Sequence, residues 1–397
     1  MRVKRIAYLI VTLLLFTSFG SPTALAAEEK KKEENKTTEI VTDVRSAILI
    51  ERDTGKVLYE KNSKEELPPA SMTKVMTMLL IMEAIDEGKL TWNTKIRTSE
   101  HAASMGGSQI FLEPGEEMTA KEMMQGIAIG SGNDASVAMA EHIAGSEEAF
   151  IDMMNAKVKE LGLKNTVFKN TTGLPESGHY SSAHDMAIMA KELLKYEDIT
   201  KFTGMYESYL RENTDKKFWL VNTNKLVRFY PGVDGLKTGF TAEAKYCLTA
   251  TAQKDGMRVI AVVFGASTSK DRNAQVTKML NYAFAQYQTH PVLKRNQAIG
   301  EAKISKGEDK RVAALTSEPL SLLTKKGEKM ADVEQKVILE KKLKAPIKKG
   351  DKVGTIKLVK DGKVLLESPL VAGKDVKEAG WWTLYKRSFG MFTKAGK

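Results

Sequence analysis

Ser71 and Lys74 lie three positions apart, directly after Pro68-Pro69-Ala70 and directly before an apolar run from Val75 to Ile85. The prolines end an extended segment, and the residues after them are helix formers, so the pattern predicts a helix starting at or near Ser71. Side chains at i and i+3 share one helix face, which sets a hydroxyl beside an amine. Serine is a poor nucleophile until a base takes its proton, and a desolvated lysine can have its pKa lowered enough to do so. Alone, the spacing reads more readily as a serine N-cap followed by a surface lysine.

Two further stations change that. Ile129-Gly130-Ser131-Gly132-Asn133-Asp134 interrupts a helical stretch from Thr119 to about Gly145. Two glycines in that interval predict a break between two helices, with the Ser131 hydroxyl and the Asn133 amide on a short exposed loop. Gly235-Leu236-Lys237-Thr238-Gly239-Phe240 precedes two strand-like runs, Tyr246–Ala252 and Arg258–Phe264, separated by Lys254-Asp255-Gly256. This predicts an antiparallel pair with Lys237 on or just before a neighbouring edge strand. A lysine there can receive a carboxylate as a charge-assisted partner. Ser-x-x-Lys, Ser-x-Asn and Lys-Thr-Gly in this order form the signature set of penicillin-binding proteins and class A β-lactamases.

The elements around these stations follow from the rest of the chain. Arg2, Lys4 and Arg5, the apolar run Ile6–Phe16 and Ala24-Leu25-Ala26 read as a secretory signal over 1–26. Its removal takes three positive charges from a net +11, leaving +8. Residues 27–42 are charged and poor in apolar residues, predicting a disordered spacer. Ser46–Ile50 and Lys56–Tyr59 around Asp53-Thr54-Gly55 read as a hairpin leading to the Ser71 helix. A lone Cys247 excludes an internal disulfide and a cysteine-based zinc site, and reads as a small core residue. The five histidines show no metal-ligand spacing, so neither a metal nor another cofactor is expected. Charges are well mixed and carry no nucleic-acid signature; the excess of positive charge suits an anionic envelope or membrane surface.

The chain resembles the serine D-alanyl-D-alanine carboxypeptidases, the low-molecular-mass penicillin-binding proteins, and is similar to their sporulating-bacillus type. The resemblance runs from about residue 43 to the C-terminus. Beyond the three motifs it includes Phe111-Leu-Glu-Pro-Gly115, Asn170-Thr-Thr-Gly-Leu174, Ser182-Ala-His-Asp-Met186 and Asp234–Gly239. It implies an α+β, transpeptidase-like catalytic domain over 43–288, an antiparallel sheet packed by helices beside a helical cluster. It also implies Ser71 as the acylated nucleophile, Lys74 as its base and Ser131 as the proton relay to the leaving D-alanine. Asn133 would bind the substrate amide, Lys237 with Thr238 and Gly239 the terminal carboxylate, and the N–H groups of Ser71 and Phe240 the oxyanion. The substrate implied is a peptidoglycan stem peptide ending in D-Ala-D-Ala, with β-lactams as covalent inhibitors. A class A β-lactamase would need a Glu-x-x-Leu-Asn loop between Asn133 and Lys237, and the sequence has none. Endopeptidase action at the same site, and a silent penicillin-sensing role, stay open at this point.

Residues 289–377 alternate charged and β-branched positions, and Lys360-Asp361-Gly362 marks a hairpin, so a small all-β sandwich is expected. In 378–397, Trp381, Trp382, Leu384, Tyr385, Phe389, Met391 and Phe392 fall on one half of a helical wheel. Lys386, Arg387, Lys394 and Lys397 fall on the other, which predicts an amphipathic helix lying on anionic lipid. The implied location is the outer face of the bacterial cytoplasmic membrane.

Overall fold

The structure, a computed structural model, describes residues 40–328, 332–383 and 385. The expected signal segment, most of the spacer and the tail beyond Tyr385 therefore lie outside the described residues. At the near end of the expected spacer, Val41 is fully buried against the first strands, so residues 40–42 belong to the packed body.

A five-stranded antiparallel sheet organises that body. Its strands are β1 (Ser46–Glu51), β2 (Val57–Lys61), β3 (Val233–Thr241), β4 (Lys245–Lys254) and β5 (Met257–Ala266), in the order β2-β1-β5-β4-β3. β1, β4 and β5 read as nearly continuous apolar runs because both faces of the sheet are covered. Ile48, Ile50, Ile260, Val262 and Phe264 face one core, while the alternating Ala47, Leu49, Val259, Ala261 and Val263 face another.

On the first face lie α1 (Lys74–Asp86), α2 (Ala120–Ala128), α3 (Asn133–Ala144), α4 (Glu147–Glu160) and α5 (Ala183–Leu193). α1 is buried on nearly every side, from Lys74 to Met82, so its sequence is apolar all round rather than amphipathic. On the second face α6 (Ser269–Gln286) packs Val276, Met279, Leu280 and Ala283. Side-chain caps fix where these helices start: Thr119 with Glu122 forms a capping box on α2, and Ser182 and Thr268 cap α5 and α6.

The chain then enters an all-β region. β6 (Tyr287–Leu293) pairs with β9 (Leu320–Lys325). β7 (Ala298–Ser305), β8 (Arg311–Thr316), β10 (Glu334–Leu339), β11 (Leu343–Lys344), β12 (Lys352–Lys360) and β13 (Lys363–Ala372) form a six-stranded sheet in the order β10-β12-β13-β8-β7-β11. Asp361-Gly362 turns β12 into β13 with both residues at positive φ, as the sequence requires. β6 begins at Tyr287, two residues ahead of the expected start of this region. Trp381, Trp382 and Tyr385 are exposed at the described end of the chain, with Trp381 stacked on Tyr385 and Trp382 edge-on to both. Among the described residues no helix is long and apolar enough to cross a membrane.

Candidate active site

The turn that carries Ser71 is tighter than the sequence predicts. Ala70–Thr73 form a 3-10 turn, and α1 proper starts at Lys74. In 3-10 geometry residues three apart eclipse, which sets Ser71 under Lys74. Ala70 holds φ at 47°, a region that costs a residue with a Cβ about 1–3 kcal/mol and persists only where the surroundings enforce it. The enforcement is visible: a Cβ on Gly173 would lie 1.8 Å from the Ala70 carbonyl oxygen, and one on Gly239 would lie 2.7 Å from that of Pro69. Only glycine lets the 170–174 loop and strand β3 press this closely on the turn.

Lys74 is fully buried. Its Nζ lies 2.6 Å from Asn133 Oδ1, 2.8 Å from the Thr172 carbonyl and 3.3 Å from Ser71 Oγ. The Asn133 orientation is fixed, since its Nδ2 donates to the Gly106 carbonyl at 2.6 Å, which leaves only the oxygen for Lys74. Two of the three partners of Nζ are amide oxygens that can only accept. A neutral amine donates its two hydrogens to them and turns its lone pair to the hydroxyl. The environment favours that form: burial, and then the positive charge of Lys237, hold the Lys74 pKa well below the ordinary lysine value, with Asp134 opposing.

The expectation of an exposed Ser131–Asn133 loop is corrected. Both residues are buried, and the loop at 106–112 closes over Asn133. Asn133 N–H donates to the Ser108 carbonyl, and the Asp134 carboxylate accepts from the N–H groups of Ile110 and Leu112. Ser131 holds φ at 63°, a second left-handed residue with a side chain at the site.

Lys237, Thr238 and Gly239 lie within β3, the edge strand of the five-stranded sheet. Although it lies on an edge strand, Lys237 is almost wholly buried, and its Nζ donates to the Thr238 carbonyl at 3.0 Å. Burial, reinforced by the charge of Arg272, lowers its pKa to about 7. Thr238 Oγ1 shares a 2.7 Å hydrogen bond with Thr223 Oγ1. Phe240 turns its side chain outward, more than half exposed, onto Tyr246. Cys247 is buried in β4, and burial pushes its thiol up to about 12, so it stays protonated.

Sequence reasoning missed the groups that hold this arrangement from behind. Asn170 Oδ1 accepts from Thr172 and Gly173 N–H and so aims the Thr172 carbonyl at Lys74. His179 Nδ1 accepts from Lys169 N–H, which leaves Nε2–H to donate to Thr73 Oγ1 at 2.8 Å. Burial lowers the His179 pKa to about 4, so the ring is neutral.

A buried amine aimed at a serine beside a strained turn, facing a second buried lysine on an edge strand, is the arrangement against which known proteins can be compared. A family model described as D-alanyl-D-alanine carboxypeptidase matches residues 30–268. The chain belongs to the D-alanyl-D-alanine carboxypeptidase family. A second model, described as the C-terminal domain of penicillin-binding protein 5, matches residues 287–378. The D-alanyl-D-alanine carboxypeptidase DacF of Bacillus subtilis is 65% identical over 391 residues, covering 98% of this chain and 99% of its own. Penicillin-binding protein 5 of Haemophilus influenzae superposes with a TM-score of 0.64 at 31% identity, over 85% of this chain and 98% of its own. Penicillin-binding protein D2 of Listeria monocytogenes in its ampicillin-bound form gives a TM-score of 0.55 at 29% identity, over 61% and 98%. The α+β catalytic body, the all-β domain and the carboxypeptidase activity thus belong to one family.

Proposed function

We propose that this carboxypeptidase removes the terminal D-alanine of peptidoglycan stem peptides through an acyl-enzyme on Ser71. The observation that carries this is the Lys74 amine, held by Asn133 Oδ1 and the Thr172 carbonyl with its remaining direction toward Ser71 Oγ at 3.3 Å. Neutral Lys74 takes the Ser71 proton as Oγ attacks the carbonyl carbon of the D-Ala-D-Ala bond. The N–H groups of Ser71 and Phe240 receive the oxyanion. The C–N bond then breaks as the Ser131 hydroxyl gives its proton to the leaving amine and recovers one from Lys74. Water, deprotonated by the same lysine, hydrolyses the ester. Asn133 also holds the substrate amide, while Lys237, with Thr238 and Gly239, anchors the terminal carboxylate before it leaves with D-alanine.

A β-lactam follows the first half of this path and stops at the ester, which makes the enzyme penicillin-sensitive. Trimming the terminal residue removes the donor bond for transpeptidation and so limits cross-linking. Export by residues 1–26, a charged spacer after it, the catalytic body from residue 40, the β domain from Tyr287 and an anchor at 378–397 would together set the reaction on the outer face of the cytoplasmic membrane. The exposed Trp381 and Trp382 support the anchor. Use in sporulation rests on the resemblance to the bacillus type and is tested by when the protein accumulates. The direct test incubates the protein without its first 27 and last ~20 residues with diacetyl-Lys-D-Ala-D-Ala. D-Alanine release that disappears in Ser71→Ala and with penicillin is expected. No release, with Ser71 still acylated by penicillin, overturns the reading.

A further inference from the structure

Beside the Ser71 turn lies a groove of about 580 Å³ whose walls include Pro69, Leu174 and Tyr180 and three glutamates, Glu66, Glu176 and Glu243. Among the described residues no lysine or arginine lines it, although the chain as a whole is basic. The one lining histidine, His179, is neutral and has both ring nitrogens engaged elsewhere. Among the described residues, the carboxylates of Glu66 and Glu176 accept from the side-chain amides of Asn165 and Asn170, and all three glutamates are exposed. Lys169 reaches the rim near Gly178 without entering the walls.

Position along β3 gives this groove a ligand. If the terminal carboxylate sits at Lys237 and Thr238 and the scissile carbonyl at Phe240 N–H, the substrate runs along the strand toward Thr241. An extended chain advances ~3.3 Å per residue, so the residue before the D-Ala-D-Ala pair arrives beyond Phe240. Thr241 and Glu243, the groove's wall at that end, lie there. The exposed Phe240 ring, packed at a tilt on Tyr246 with centroids 4.4 Å apart, offers an apolar surface on the way in.

We propose that this groove is the subsite for the residue preceding D-Ala-D-Ala, and that it selects a side chain ending in a free ammonium. The inference rests on the acyl-enzyme reading above. Its consequence is selection among wall strands: a stem whose side-chain amine has been acylated, as cross-linking does, loses its charge and its place in the groove. The enzyme then trims stems whose amine is still free.

The test compares kcat/KM for Nα-acetyl-Lys-D-Ala-D-Ala and Nα,Nε-diacetyl-Lys-D-Ala-D-Ala. Each is measured in the parent protein and in a variant carrying Glu66→Gln, Glu176→Gln and Glu243→Gln. Acylation by benzylpenicillin, which has no such amine, reports whether the Ser71 centre is formed in the variant. If it is not, Glu243→Gln alone replaces the triple change. The expected preference for the free amine is about fivefold, the scale of one exposed ion pair. It should shrink with added salt and fall to near unity in the variant. Equal kcat/KM in the parent, or a preference that survives the substitutions, overturns the inference and leaves the carboxypeptidase reading intact. No turnover of either peptide overturns both.

Discussion

The catalytic body and the β domain bury very different things. Among the described residues, the body encloses Glu51, Lys74, Asp134, His179, Asp185, Lys237 and Arg272, whereas the buried polar side chains of the β domain are Thr289, Thr316, Ser321 and Ser368. Charge is kept at the surface of the second region, and its core is Leu, Ile, Val and Ala alone. Burying a charge is costly unless it is paired or neutralised. In the body that cost shifts protonation states toward neutral amines, with Lys74 and Lys237 both lowered. The β domain spends its burial on stability; the body diverts part of its own to reactivity.

The comparison can be broken most sharply at Lys74. Lys74→Met should lower the acylation of Ser71 and D-alanine release by about 10³-fold or more, the scale of a lost general base, while retaining the fold by circular dichroism. A variant within about tenfold of the parent would place the base elsewhere. The opposite behaviour is expected of Leu358→Ala in the β domain. Removing this fully buried side chain should cost about 2–5 kcal/mol in denaturant unfolding of that region yet leave kcat on the tripeptide unchanged.

His179 sharpens the contrast through pH. Its pKa is depressed in the fold, to about 4 from 6.5, so the unfolded state binds the proton more readily. Its contribution is therefore present above pH ~6.5 and lost as pH falls toward ~4, about 3 kcal/mol in all. His179→Gln should flatten that part of the stability profile; an unchanged acid slope would contradict the neutral ring. Lys237→Ala should lower kcat/KM by about 10- to 100-fold, the worth of a charge-assisted hydrogen bond, mostly through KM. Because its pKa is about 7, carboxylate binding by the free enzyme should weaken as pH rises through that value. Lys237→Arg, which stays charged, should lose this descending limb in kcat/KM profiles.

How much of this was legible in the sequence follows the same division. The three motifs, the helix break before Asn133, the edge position of Lys237 and the Asp361-Gly362 hairpin were readable because each depends on local residue types. The burial of Ser131 and Asn133 was not, since a Gly-Ser-Gly-Asn run reads as a surface turn, and the remote loop at 106–112 that satisfies Asn133 leaves no mark on it. The Thr172 carbonyl that completes the lysine's surroundings carries no residue-type signal at all. His179 and Thr223 act on groups that only the fold brings near, while Asn170 holds its own loop and matters only because that loop turns the Thr172 carbonyl onto Lys74. The 3-10 turn at Ser71 likewise results from Gly173 and Gly239 pressing on it, not from the helix-forming residues that follow.

The central claim is that Lys74, neutral in the buried site, takes the proton from Ser71. The rate of Ser71 acylation by benzylpenicillin, measured against pH in the parent and in Lys74→Met, tests it most directly. At saturating benzylpenicillin the account predicts a rate that climbs with pH to a plateau, with a midpoint well below the ordinary lysine value of 10.5, and that this rise disappears together with most of the rate in the variant. Acylation independent of pH across that range, or equally fast without Lys74, would contradict it.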